Sequence, residues 1–201
     1  MLDLTTTIQV LRREAGRKKR FIIGIAGAPG SGKSTLAEAL HQALGAESIV
    51  VPMDGFHFDD VVLKARGDLP RKGAPHTFDV AGFEHLLKRI KVREADIAIP
   101  VFDRSQELAR AGASIISADA RFILVEGNYL LLKHKGWRKL RPLFDFTIFL
   151  NVPEAELERR LLARWRGFGF DEKGAREKAL GNDIPNAKTV VRESARADLV
   201  I

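Results

Sequence analysis

The apolar positions change their period along the chain, and each change marks an element. Leu4, Ile8 and Leu11 lie three or four apart, which predicts a helix over residues 2–15. Residues 21–26 are a continuous apolar run rich in β-branched residues, as in a strand buried on both faces. Helical spacing returns at Leu36, Leu40, Ala43 and Leu44, over residues 33–44, with Gly45 as the stop. Residues 48–51 read as a second strand. Residues 55–78 show no period and are rich in Gly, Pro, Asp and Arg, so they read as irregular or briefly helical. Asp79 is placed to cap a helix running to Lys91, with Phe83, Leu86, Leu87 and Ile90 on one face. Residues 97–102, 121–126 and 146–152 read as further strands, and residues 102–112 as a loop. Pro153 opens a helix through about Arg164. Residues 171–181 read as helical, and residues 197–201 as a last strand.

Strands and helices alternate, and the strands are apolar throughout. That combination predicts an α/β fold with a parallel β-sheet covered by helices on both faces. No internal repeat, low-complexity segment or linker interrupts the pattern, so residues 1–201 read as a single domain, with residues 1–20 as an N-terminal helical segment.

Composition narrows the class. A chain of 201 residues can bury one sizeable core. No apolar run approaches the roughly 20 residues needed to cross a bilayer. The basic residues of the N-terminus follow its apolar ones, unlike a secretory signal. The absence of cysteine excludes a disulfide framework, a thiol nucleophile and a cysteine metal site. These features predict a cytoplasmic protein with no membrane partner. The net charge of +7, from 33 basic and 26 acidic residues, suits a basic surface, a site for a multiply charged nucleotide, or a nucleic-acid partner. A nucleic-acid partner is disfavoured, because there is no long basic tract and no recognisable nucleic-acid module. A homodimer is left open.

Candidate chemistry begins at GAPGSGKST, residues 27–35. It matches G-x-x-x-x-G-K-[ST] at Gly27, Gly32, Lys33 and Ser34. The glycines allow backbone angles that a side chain would forbid. The N–H groups of Ala28, Pro29's neighbours Gly30 and Ser31, and those up to Thr35 can then turn around phosphates at the start of a helix. Lys33 would reach the β and γ phosphates, and the Ser34 hydroxyl would ligate Mg²⁺. The motif sits between a predicted strand and a predicted helix, as that chemistry requires.

Two carboxylates end predicted strands. Asp54 follows the second strand in VPMDGFHFDD, and Glu126 ends the strand in RFILVEGNY. In a parallel sheet the carboxyl ends of the strands form the ligand rim. A carboxylate there can take the proton of a hydroxyl attacking the γ-phosphate, or hold water on the metal. The sequence does not assign the two roles between Asp54 and Glu126. An Asp-Gly turn and a surface glutamate are the simpler alternatives.

Taken together, GAPGSGKST, MDGFH, RKGAPHTFD, VEGNYLLL, LFDFTIFLNVP and the arginine-rich residues after it resemble the P-loop kinases of the uridine kinase, phosphoribulokinase and bacterial pantothenate kinase group. The resemblance covers nearly the whole chain from Arg20. It is closest to fructose-transport-system, fructokinase-like kinases. It implies the P-loop nucleoside triphosphate hydrolase fold, ATP and Mg²⁺ as cofactors, and Asp54 as catalytic base. It also implies a small helical lid at about residues 159–170, in RRLLARWRGFGF. The uridine kinase pattern of Asp-His-Pro before the aromatic-Asp pair is replaced here by Gly73-Ala74-Pro75-His76-Thr77-Phe78-Asp79.

Within the lid, Arg160 and Arg164 share a helical face, and Arg166 lies where the helical pattern ends. Arginines there can stabilise charge on the transferring phosphoryl group. The resemblance places Asn186 near the adenine. His57, Phe78, Arg104 and Asn128 fall in segments expected to line the acceptor side. The expected function is ATP- and Mg²⁺-dependent transfer of a phosphoryl group to a hydroxyl of a small metabolite, best a sugar such as fructose. A pantothenate or nucleoside kinase is the alternative within the enzymes. A nucleotide-gated switch or nucleic-acid-associated ATPase is the alternative outside the kinases.

Overall fold

The computed structural model describes residues 3–201; residues 1 and 2, where the expected first helix begins, lie outside the described residues. Helix α1 spans Leu4–Ala15, and the Asp3 carboxylate caps it by accepting a bond from the Thr6 N–H at 2.7 Å. Strand β1, Phe21–Gly27, is buried along its whole length. Helix α2 is Lys33–Leu44, and β2 is Ser48–Pro52. A 3₁₀ turn, Met53–Phe56, leads to helix α3, Asp60–Arg66. Helix α4 is Val80–Lys91, with Asp79 accepting from the Gly82 N–H at 2.9 Å. After it come β3 (Ile97–Asp103), β4 (Leu108–Ile116), β5 (Phe122–Gly127) and β6 (Phe146–Leu150). Helices α5 (Glu154–Gly167), α6 (Glu172–Lys178) and α7 (Ile184–Glu193) precede the short β7, Leu199–Val200.

Five strands form one parallel sheet in the order β2-β5-β1-β6-β7. Successive side chains of β1 leave on opposite faces. Phe21, Ile23 and Ile25 join Leu11, Leu40, Phe122 and Leu124 in a core beneath α1 and α2. Ile22 joins Ile123, Val125, Phe83, Leu87 and Ile90 in a second core beneath α4. Each such side chain contributes roughly 1.5–3 kcal/mol on full burial, which is why a run with no polar position becomes the central strand. No helix among the described residues is long and apolar enough to cross a membrane.

Two regions differ from the pattern-based expectation. Residues 102–112 are a loop only at 104–107: the strands on either side, β3 and β4, pair antiparallel as a separate two-stranded sheet. Most of β4 is exposed, so its residues LARAGASII carry no apolar alternation to betray a strand. The second is the helical stretch expected over 171–181, which runs on through the wide turn Ala179–Asp183 into α7. Pro185 lies in the first turn of that helix, where its missing N–H costs nothing.

Candidate active site

The loop after β1 turns back on itself before α2. Gly30 and Gly32 adopt positive φ, 79° and 93°, and Gly32 caps α2 without offering a side chain. The first N–H groups of α2 therefore have no side-chain partner and face the space above the loop. The Ser31 hydroxyl is buried and unpartnered. Lys33 is buried, and its Nζ donates to the Ala28 carbonyl at 2.9 Å. Burial holds its pKa down to about 8, against the opposing pull of Glu126 and Asp54.

The loop forms the floor of a cavity of about 1170 Å³. Pro29, Gly30, Gly32, Lys33, Ser34 and Thr35 line it. Asp54, His57, Phe78, Arg104, Glu126, Asn128, Arg160, Arg164 and Asn186 line it as well. Gly27, Ala28 and Ser31 form the buried back of the loop. Arg166 stands outside the cavity, where its guanidinium bonds both carboxylate oxygens of Glu172 at 2.8 and 3.0 Å.

Strand order explains why both carboxylates arrive at one place. β5 lies between β2 and β1, with Glu126 in register with Pro52 on one side and Ile25 on the other. Asp54 follows two residues after Pro52, in the 3₁₀ turn. Glu126 is buried; burial and the nearby Asp54 charge raise its pKa, while Lys33 and a bond with the Ser34 hydroxyl oppose the rise. Asp54 is more open and accepts a bond from Arg104 Nη2 at 2.8 Å. The turn is held from above by β3: a Cβ on Gly55 would stand 2.4 Å from the Pro100 carbonyl oxygen. His57 donates from Nδ1 to the Asp54 carbonyl at 2.8 Å, and its ring lies 4.0 Å from that of Phe78 and 4.9 Å from that of Phe102. Burial lowers its pKa.

The opposite wall comes from α5 and the segments after it. Arg160 bonds Glu156 at 2.7 Å and reaches the Gly30 and Ser31 carbonyls at 3.3 and 3.4 Å, so it lies over the phosphate loop. Arg164 lies against the rings of Trp165 and Phe168 and forms no ion pair among the described residues. Burial, then repulsion from Arg104, lowers its pKa. Asn186 is buried and accepts from Arg71 at 3.4 Å.

Sequence reasoning passed over several lining residues. Lys72 bonds Asp60 at 2.7 Å and the Glu107 carbonyl at 2.8 Å. Trp165 donates to Asp183 at 2.6 Å, and Asn182 donates to the Lys72 carbonyl at 2.8 Å. Only Lys72 left a local signal, a cation inside a Gly- and Pro-rich segment. The others depend on contacts more than a hundred residues apart or on the wide turn Ala179–Asp183.

Comparison with known proteins agrees with this geometry. The family model of the phosphoribulokinase / uridine kinase family matches residues 22–201. A Schizosaccharomyces pombe protein named "putative uridine kinase C227.14" is 32% identical over 92% of this chain and 83% of its own. A pantothenate kinase from Enterococcus faecalis is 31% identical over 72% of this chain and 49% of its own. A crystal structure described as a "putative fructose transport system kinase" from Silicibacter sp. TM1040 superposes with a TM-score of 0.92 at 42% identity, covering 100% of both chains. The chain belongs to the phosphoribulokinase / uridine kinase family and is a P-loop kinase.

Proposed function

We propose that the protein transfers the γ-phosphate of ATP, with Mg²⁺, to a hydroxyl of a small metabolite, best a sugar. The observation that carries this reading is the meeting of two carboxylates, Asp54 and Glu126, with the phosphate-loop lysine in one cavity. The Silicibacter neighbour's description supports a sugar such as fructose.

In this reading the N–H groups of residues 30–35 and the Lys33 ammonium hold the triphosphate. Lys33 Nζ leaves the Ala28 carbonyl to do so. Ser34 and Glu126 fit a magnesium ion: both line the cavity at the phosphate loop, and a hydroxyl and a carboxylate are the oxygen donors such an ion takes. No cluster of three or more His, Asp or Glu able to hold a metal exists among the described residues. That suits an ion held mostly by phosphate and water rather than by a protein cage. Bound magnesium would neutralise charge on the β and γ phosphates. Asp54 takes the acceptor's hydroxyl proton. Arg160 and Arg164 face the transferring group from the lid side and stabilise its charge. Asn186 lies at the adenine end, and His57, Phe78, Arg104 and Asn128 on the acceptor side.

Asp54→Asn tests the assignment. It keeps the shape and removes the base, so turnover should fall on the order of 10²–10⁴-fold. The dissociation constant for Mg-ATP should change by less than about threefold. Retained turnover would remove Asp54 from the mechanism. A pantothenate kinase would use the same machinery with another acceptor, a reading the Enterococcus relative keeps in view.

A further inference from the structure

Arg104 stands on the turn that joins β3 to β4. Asp103 fixes that turn, accepting from the Ser105 N–H at 3.0 Å, the Ser105 hydroxyl at 2.6 Å and the Gln106 N–H at 3.3 Å. Lys72 ties it down from the far side through the Glu107 carbonyl and the Asp60 carboxylate. β3 itself rests on the Asp54 turn at Gly55. The guanidinium is thus delivered to Asp54 by a built support, not by a loose side chain.

Its bonding capacity is largely unspent. A guanidinium has five N–H donors, and Arg104 uses one of them, on Asp54. Half of its side chain is exposed, at 51%, and it lines the cavity. Arg164 lines the same cavity as a second cation, lowered in pKa by burial and then by repulsion from Arg104, and it forms no ion pair among the described residues. Lys72 differs: Asp60 and Glu107 already neutralise it. The cation with capacity to spare on the acceptor side is therefore Arg104, and among the described residues its one ion-pair partner is Asp54, the carboxylate that this reading makes the base.

We propose that the acceptor is a hydroxyl compound bearing an anionic group, a phosphate monoester or a carboxylate, and that Arg104 binds that group as the specificity-determining residue. This rests on the kinase reading with Asp54 as base. A neutral sugar offers the guanidinium only neutral hydrogen bonds. An anion offers forked, charge-assisted bonds about twice as strong, enough to compete with Asp54. Once Arg104 turns to the anion, Asp54 is free to take the hydroxyl proton. The acceptor oxygen then bonds to the γ-phosphorus, the bond to the β,γ-bridging oxygen breaks, and ADP leaves with that electron pair. Without acceptor, the ion pair keeps Asp54 from activating water and limits wasted hydrolysis.

The test is ADP release from Mg-ATP by the wild type, Arg104→Gln and Arg104→Lys, with matched acceptors and with none. The pairs are fructose against its 1- and 6-phosphates, glucose against gluconate, and glycerol against glycerate. The phosphate and carboxylate arms separate the two anions. The anionic member of at least one pair should raise the rate while its neutral partner does not. Arg104→Gln should raise the KM for that acceptor about tenfold or more with a smaller change in kcat, and Arg104→Lys should recover part of the loss. Acceptor-free hydrolysis should rise severalfold in Arg104→Gln and fall again when Asp54→Asn is added. A neutral acceptor phosphorylated as well as its anionic partner, or an unchanged KM in Arg104→Gln, overturns the proposal. If no compound is phosphorylated, acceptor-free hydrolysis decides: no rise in Arg104→Gln overturns it, and a rise that Asp54→Asn removes sustains it. Equal thermal midpoints for wild type and Arg104→Gln exclude misfolding as the cause. Full turnover of Asp54→Asn on a working acceptor would instead strike the parent reading.

Discussion

Asp54 and Glu126 stand at the ends of neighbouring strands, yet their surroundings differ. Glu126 is buried against Lys33 and Ser34, next to where phosphate would sit. Asp54 is more open and paired with Arg104. The sequence put both on one rim, because apolar runs ended on them. It could not show the pairing of Asp54, which depends on the turn between β3 and β4, and β4 carries no readable pattern. His57 is a clearer case. The sequence offered it as a residue lining the acceptor side; the structure also packs its ring against those of Phe78 and Phe102. Burial lowers its pKa, so the folded protein resists a proton that the unfolded chain accepts below about pH 6.5. Stability is therefore lost as the pH falls from there through the folded-state pKa. Glu126 acts in the opposite sense, since its raised pKa lets the folded state bind a proton first. Urea unfolding of the wild type and His57→Gln at pH 7.5 and 5.5 separates the two effects. The wild type should lose more stability on acidification than the variant; equal losses would show that His57 titrates freely in the fold.

At the scale of elements, the short β7 shows what an apolar pattern conceals. It was legible as a strand from ADLVI, but two residues of ladder hardly fasten a strand. Asp198, just before it, does. Its carboxylate accepts from the Thr147 N–H at 2.8 Å, the Thr147 hydroxyl at 2.7 Å and Arg141 at 3.0 Å. Asp198→Ala leaves the Thr147 N–H unpaired and should cost about 2 kcal/mol in urea unfolding. Arg141→Ala, which removes only a partly exposed ion pair, should cost under about 1 kcal/mol. Similar costs for both would mean that the ion pair, not the bond to β6, fastens the strand. Strand β3 was legible from its apolar residues, but its partner β4 was not, for the opposite reason: a largely exposed strand of small and polar residues needs no alternation to fold.

For the whole molecule, the parallel sheet could be read because its strands must be apolar on both faces, and the phosphate loop because its chemistry dictates its spelling. The acceptor wall could be read only as a set of polar segments, since its shape comes from a second sheet and from α5 to α7 closing over the loop. A cavity built from so many separate elements should tie nucleotide binding to global stability. At about 100 times its dissociation constant, Mg-ATP should add about 2.7 kcal/mol and raise the thermal midpoint by about 5–10 °C in scanning fluorimetry. No shift at saturating Mg-ATP would contradict nucleotide binding in this cavity.

The most direct measurement is ADP release from Mg-ATP with an acceptor panel: sugars, sugar phosphates, pantothenate, uridine, glycerate and a blank without acceptor. The product is identified by mass, and Asp54→Asn is run alongside. The account predicts at least one acceptor well above the blank, its phosphorylated form in the product, and loss of both in Asp54→Asn. A flat panel with Mg-ATP bound, or a variant as active as the wild type, would contradict it.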